Sequence, residues 1–190
     1  MSTETLAAAF ATARGVLTNV TADQLDDPTP CVSWDVRRVV NHLVGGAHWF
    51  EITTNAGASP ETDDTEDTDY TTGDIVAAYD TATAGALAAF SADGALERTI
   101  TLPFGTFPGA GFMALATVDH FTHAWDLARA TGQSTDLAPE MAEQLLSAAQ
   151  AMIPDQFRGP DGVAPFGPKV AIDPTACAAD RLAGFLGRAV

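Results

Sequence analysis

The chain has few basic residues, few cysteines and no long apolar run. Its 190 residues carry 9 Lys and Arg against 25 Asp and Glu, which gives a formal charge of −16 at pH 7. A charge of this sign repels phosphate backbones and anionic lipids, so no nucleic acid and no membrane surface is expected as a partner. We therefore expect a small molecule or another protein as the partner.

No stretch reaches the roughly 18 apolar residues that would span a bilayer, and the N-terminus lacks the basic start of a secretory signal. These absences predict a cytoplasmic protein. With no export signal, the widely separated Cys31 and Cys177 are interpreted as two thiols rather than as a disulfide, and they are too few for a cysteine zinc cluster. Cys31 precedes a predicted helix, where a thiol can be activated, but a buried packing role is preferred.

Two common catalytic motifs are also missing. The sequence contains no Gly-x-Ser-x-Gly nucleophile elbow, and its glycine-rich stretches, 105–111 and 159–167, lack the residues of a phosphate-binding loop. An acidic segment, 57–72, lacks the glycine and the terminal glutamate of a calcium loop and predicts a solvated, mobile loop. Nucleotide hydrolysis and calcium binding are therefore disfavoured.

The hydrophobic fraction of 46% and the length predict one folded domain, residues 1–190, with a sizeable core. Apolar residues at three- and four-residue spacing predict helices over about 3–20, 75–90, 112–131 and 139–152, with a last turn at 179–186. Another helix is predicted to begin with Ser33 as its N-cap and to extend past Phe50. Residues 98–102 alternate like a short strand, and 105–111 is predicted to be a turn. The fold class is thus all-α: a bundle of four principal helices with a small β excursion and a C-terminal arm.

The helix over 112–131 is apolar on more than one side, which predicts a central position in the bundle. Its apolar residues fall into two groups: Val118, Phe121 and Trp125 on one side, and Phe112, Leu115, Ala116 and Leu127 on the other.

Asp119 and His123 stand at i and i+4 of this helix, so both side chains can face one ion. A carboxylate and an imidazole suit zinc and similar divalent metals, and a third ligand would still leave a position for water or substrate. His42, at the border of the second helix's apolar stripe, is the candidate third ligand, with Gly46 one turn further on leaving room for its ring. His48 is predicted to be solvated, and His120 to be a surface residue or to lie behind the ligands.

A structural interpretation stays open beside the metal. A carboxylate carried into an apolar interior needs a partner, and Asp119 could be paired with an arginine or with His123. In that case the three residues form a hydrogen-bonded polar cluster in an interaction protein.

Several segments together resemble one known family. They are TPCVSWDVR (29–37), NHLVGG (41–46), HAWDLA (123–128), ATG (130–132), FGP (166–168), DRL (180–182) and LGR (186–188). The combination is similar to the actinobacterial metal-binding proteins related to the N-terminal domain of mycothiol-dependent maleylpyruvate isomerase, in the DinB-like superfamily.

The resemblance implies a DinB-like four-helix bundle that holds one divalent metal, zinc first and nickel second, through His42, Asp119 and His123. Asp119 replaces the family's usual glutamate and reaches one methylene less far. The isomerase carries a further C-terminal domain for which the sequence shows no counterpart, so its reaction is not transferred. Homologous bundles often form homodimers, but no independent sign of one is present.

The leading hypothesis is a thiol-dependent transferase or isomerase that acts on a small electrophile, with mycothiol as co-substrate. The metal would lower the pKa of a bound thiol or water. Trp34 and Arg37 are candidates for lining the pocket, without a catalytic role. The rival hypothesis is a non-catalytic, metal-dependent module that binds or senses a small ligand.

Overall fold

The computed structural model describes residues 1–61, 68–160, 163–164 and 166–190. Within them the chain forms six α-helices and one antiparallel hairpin. In chain order these elements are α1 (Thr3–Leu17), α2 (Val36–Ala56), α3 (Ile75–Phe90), β1 (Thr99–Leu102), β2 (Gly105–Pro108), α4 (Gly109–Ala130), α5 (Pro139–Met152) and α6 (Ala178–Phe185). The predicted all-α class with a small β excursion is confirmed.

Helices α1 to α4 make the bundle, in which α2 packs on α3 and α4, and α1 packs on α3 and α4. Helix α4 is central because it is buried on two sides. Phe112, Ala116 and Leu127 belong to the main core of the bundle. Val118, Phe121 and Trp125 belong to a second core that α4 shares with α5 and α6. The two predicted apolar sides of this helix therefore correspond to two separate cores.

Helix α2 begins later than predicted. Asp35 is its N-cap, with a side-chain oxygen that accepts a hydrogen bond from Arg38 N at 2.8 Å, so Ser33 as N-cap was wrong. The residues before it close a turn, because the Thr29 hydroxyl donates to Trp34 O at 2.8 Å and Trp34 N donates to Cys31 O at 2.7 Å. This turn holds Trp34 outside the helix, against the bundle.

The segment 105–111, predicted to be a turn, instead forms β2 and the start of α4. Gly109 N donates to Arg98 O at 2.7 Å, and a Cβ on Gly109 would lie 1.9 Å from Ala95 O. Only glycine fits this close approach of backbones, so packing rather than a loop explains Gly109.

The prediction of a mobile loop over 57–72 falls partly on residues 62–67, which lie outside the described residues. Both described ends are anchored, so the prediction is wrong there. Ala58 bridges to Thr101 of β1, and Tyr70 N donates to Asn41 Oδ1 at 2.9 Å. The carboxylate of Asp69 also accepts a hydrogen bond from Asn41 at 3.3 Å, so α2 holds residues 69 and 70 through polar contacts that apolar periodicity does not reveal.

The described part of the chain contains no helix with the length and hydropathy needed to cross a bilayer. Cys31 and Cys177 do not form a disulfide, as predicted, and both are half-buried. The C-terminal arm returns to the bundle, where Val170 N donates to Gly184 O of α6 at 2.9 Å.

Candidate functional site

Three side chains from α2 and α4 converge where these helices pack. His42 Nε2 lies 3.3 Å from Asp119 Oδ2, and His123 Nε2 lies 3.6 Å from Asp119 Oδ1. One ligand atom of each residue lies within 4.8 Å of those of the other two. The structure thus brings together His42, Asp119 and His123, the three residues that the sequence singled out.

The surroundings of Asp119 favour its charged form. Burial raises the pKa of this carboxyl, but the imidazoles of His42 and His123 outweigh burial and hold the pKa below its ordinary value. The side chain keeps 23% of its surface exposed. Asp119 therefore offers a carboxylate that is reached by imidazoles on one side and by solvent on the other, and no arginine forms an ion pair with it among the described residues.

Trp34 covers the two imidazoles. Its ring lies 5.2 Å from that of His123, nearly parallel at 25°, and 4.6 Å from that of His42. The turn before α2 sets this position, and the Arg38 guanidinium lies 5.6 Å from the centre of the indole. Trp34 thus shields one side of the site from water.

A buried carboxylate fixes the orientation of His123. Asp126, one turn along α4, is fully buried, and its Oδ2 lies 2.9 Å from His123 Nδ1. Arg188, near the end of the C-terminal arm, reaches the same carboxylate with Nη2 at 3.1 Å and Nε at 3.3 Å. Burial raises the pKa of Asp126, but the Arg188 guanidinium and His123 outweigh burial and lower it. An ionised Asp126 accepts a hydrogen bond from Nδ1–H of His123, which leaves Nε2 as the ring nitrogen that faces Asp119.

A second group of candidate ligands shares His123. Cys31, His123 and Asp126 also place one ligand atom each within 4.8 Å of the others. Here, however, the Asp126 carboxylate already forms an ion pair with the Arg188 guanidinium. The Asp126 side chain is 0% exposed and that of Arg188 is 12% exposed. A metal cation would be repelled by this fixed positive charge, so the first group is the better candidate centre.

A cavity of about 520 Å³ opens onto the site. His42 and Asp119 form part of its wall. The rest comes from α2, α4, the hairpin and the segment after α2, through Gly46, Trp49, Phe50, Ser59, Pro60, Glu61, Pro103, Phe104 and Leu115. This volume is within the range of small-molecule sites.

The other residues considered from the sequence lie elsewhere. His120 is fully buried, so a surface position was wrong; its Nδ1 lies 3.0 Å from the Tyr79 hydroxyl, and burial lowers its pKa to about 3. His48 is half-exposed, with its Nδ1 3.8 Å from Glu51. Arg37 donates to Thr71 and forms ion pairs away from the cavity, so it does not line the pocket.

Sequence reasoning assigned no role to Asp126 and Arg188. Asp126 had a signal, because a carboxylate at i+3 from His123 on a helix that is apolar nearly all round must find a polar partner. Arg188 had only its place in the LGR segment of the family resemblance, because 62 residues separate it from Asp126 and no periodic pattern connects the arm with α4.

A four-helix bundle with a His-Asp-His cluster between its second and fourth helices defines the class of the protein. The sequence matches the family described as "Mycothiol maleylpyruvate isomerase N-terminal domain" over residues 6–128. The chain belongs to this family, in agreement with the resemblance and with a DinB-like fold. All three cluster residues and Asp126 lie inside the matched range, whereas Arg188 lies beyond it.

Two uncharacterized proteins from two strains of Mycobacterium tuberculosis are each 42% identical to the chain over 179 residues, covering 92% of the chain and 91% of the relative. Among solved structures, the crystal structure of a mycothiol-dependent maleylpyruvate isomerase matches with a TM-score of 0.60 at 15% identity. This match covers 78% of the chain and 69% of the isomerase, and it supports the fold.

Proposed function

We propose that the chain is a single domain, residues 1–190, that binds one divalent metal through His42, Asp119 and His123. The observation that carries this proposal is the convergence of two imidazoles and a carboxylate from two helices. Zinc is the metal expected first, with nickel as the alternative, because both accept imidazole and carboxylate ligands.

The spacing of the three groups fits a divalent metal. Ligand bonds of about 2.0–2.1 Å in a tetrahedral arrangement place neighbouring ligand atoms about 3.3–3.4 Å apart. Asp119 Oδ1 lies 3.4 Å from His42 Nε2 and 3.6 Å from His123 Nε2, which is close to this value. The shorter aspartate therefore still reaches the imidazoles, and the three residues would hold a metal beside the cavity that His42 and Asp119 line.

The residues around the ligands have distinct tasks in this proposal. Asp126 and Arg188 orient His123, as hydrogen-bonded carboxylates commonly do for metal-binding histidines. Trp34 excludes water from the side of the His42 and His123 imidazoles that its ring covers. A bound divalent cation would lower the pKa of a coordinated thiol or water.

We infer further that the co-substrate is a low-molecular-weight thiol, mycothiol, and that the reaction is a transfer or an isomerisation of a small electrophile. The matched family and the isomerase of similar fold both carry mycothiol in their names. The cavity beside Asp119 supports the proposal of a small electrophilic substrate, since its volume suits a small molecule and the candidate metal ligands His42 and Asp119 line it. A cytoplasmic location and a homodimer remain predictions.

Metal content tests the first part of the proposal. Protein purified without a histidine tag is analysed for metals as wild type and as His42→Ala, His123→Ala and His48→Ala. The last is the matched control, because His48 lies on the same helix as His42 and outside the cavity wall. We expect one metal per chain in wild type and His48→Ala and a loss in the other two; equal metal in all four samples would reject the site.

Turnover tests the second part. Metal-loaded and metal-stripped protein is screened for conversion of electrophiles with and without mycothiol. Conversion that requires both metal and thiol supports the enzyme. Metal-dependent binding of a ligand without conversion would instead favour the non-catalytic binding or sensing module.

A further inference from the structure

The wall of the cavity is mainly apolar. Trp49 and Phe50 of α2, Leu115 of α4 and the hairpin residues Pro103 and Phe104 surround a space that reaches His42 and Asp119. Phe104, at the tip of the hairpin, is 65% exposed although it is a large apolar residue. An exposed aromatic ring at the mouth of an apolar cavity is available to cover an apolar ligand.

Apart from the His42 imidazole, whose charge depends on protonation, the charged side chains on this wall are of one sign. Glu61 and Asp119 line it, and no lysine or arginine does so among the described residues. The nearby arginines have other partners. Arg98 donates to Thr54 O and Asn55 O at 3.0 and 3.1 Å, and Arg37 binds the Thr71 hydroxyl at 2.7 Å. The chain as a whole carries −16.

An anionic ligand would lose hydration here without gaining a counter-charge from the wall. Burying an unpaired carboxylate costs several kcal/mol, whereas each buried apolar carbon is favourable by up to about 0.8 kcal/mol. We propose that this cavity selects an uncharged electrophile with an aromatic or alkyl group, and that it discriminates against substrates bearing a carboxylate away from the reacting carbon. This is the substrate class of the proposed function. The proposal rests on that function because it takes the cavity as the place where the electrophile binds.

The test uses two probes of the same shape and different charge, 2-acetylnaphthalene and 2-naphthoate. Their binding to the metal-free full-length chain is followed by two-dimensional NMR at the amides of Gly46, Phe104 and Leu115, which lie on the cavity wall. Without metal, a carboxylate cannot bind through coordination, so the wall alone decides. We expect 2-acetylnaphthalene to bind at least about tenfold more tightly, which corresponds to about 1.4 kcal/mol.

Three exposed positions allow variants that leave the fold intact. Phe104→Ala should weaken 2-acetylnaphthalene about fivefold or more, because truncating a contacting ring removes apolar contact area. Phe157→Ala is its control, since Phe157 is 45% exposed and lies outside the cavity. Glu61→Gln should tighten 2-naphthoate about threefold without changing the binding of 2-acetylnaphthalene.

Equal or tighter binding of 2-naphthoate to the metal-free protein would overturn the proposal. So would the absence of shifts at the three cavity amides with 2-acetylnaphthalene, or an equal effect of the Phe104 and Phe157 substitutions. These outcomes do not depend on metal content or turnover, so failure of the proposed enzymatic function would be recognised separately.

Discussion

Two carboxylates on α4, Asp119 and Asp126, are both ionised, but for different reasons. Asp126 is fully buried and is neutralised by a permanent cation, Arg188, in addition to His123. The Asp119 side chain is 23% exposed, and its partners are imidazoles, which are charged only when protonated. A fixed counter-ion thus makes a carboxylate a structural support, whereas a carboxylate with no permanent cation beside it keeps its charge available for a metal.

Removing the charge of Asp126 should have the largest effect. Asp126→Asn leaves the Arg188 guanidinium buried without its counter-ion, a change that typically costs about 3–5 kcal/mol. The free energy of unfolding, measured by denaturant titration of metal-free protein, should fall by about this amount. Metal affinity of the folded fraction should fall about 10–100-fold, because His123 loses its orienting partner.

The double variant Asp126→Leu, Arg188→Met is the control for charge. It removes both ions and should recover most of the stability that the single substitution loses. If Asp126→Asn lowered the free energy of unfolding by less than about 1 kcal/mol, the stabilising role assigned to this ion pair would be wrong.

Metal removal should have the next largest effect. A ligand present at about 100 times its Kd stabilises the folded state by about 2.7 kcal/mol, so stripping wild type with a chelator should lower Tm by roughly 5–10 °C. Differential scanning calorimetry with and without added zinc provides the measurement.

Asp119→Asn sharpens the contrast with Asp126. In metal-free protein it should change the free energy of unfolding by less than about 1 kcal/mol, because Asp119 leaves no permanent cation unpaired. The variant should show no Tm shift with zinc, and a shift as large as that of wild type would remove Asp119 from the ligand set.

Asp119→Glu should have a smaller effect on the metal. The carboxylate lies on the cavity wall, where one more methylene has space. We expect zinc affinity within about tenfold of wild type, equivalent to about 1.4 kcal/mol, by competition with a chromogenic chelator. Loss of binding as complete as in Asp119→Asn would show that the site is built for the shorter acid.

Gly46→Ala should have the smallest effect. An added Cβ would lie 3.9 Å from His42 Cε1 and Nε2, an ordinary van der Waals distance. Alanine also favours a helix over glycine by about 0.5–1 kcal/mol. Slightly higher stability and unchanged metal content, measured by denaturation and elemental analysis, are therefore expected; lost metal would mean that His42 needs the free space.

Periodicity predicted much of this molecule. The apolar spacing located α3 and α5 correctly, and the two apolar sides of α4 corresponded to two cores. The i, i+4 relation put Asp119 and His123 on one face, and His42 was identified as their companion from its place at the border of the α2 apolar stripe and from the family resemblance. Local spacing succeeded here because a regular helix fixes which side chains share a direction.

Contacts between distant segments were not predictable in the same way. Arg188 meets Asp126 only because the C-terminal arm folds back, and glycine is needed at the first position of α4 only because Ala95 O approaches Gly109 closely. The wrong N-cap at Ser33 has a related cause, since the turn closed by Thr29 delays the helix to Asp35. In each case a tertiary contact overrode the local preference.

The indole of Trp34 has an optical consequence. Its ring centre lies 4.6 Å from that of His42 and 5.2 Å from that of His123. An external dye attached to the protein could not be placed so close to these imidazoles. A paramagnetic ion such as Ni²⁺ held by these rings would quench its fluorescence at contact range, while diamagnetic Zn²⁺ would shift the emission without extinguishing it. Trp34 would in that case be a built-in spectroscopic probe that distinguishes one cation from the other.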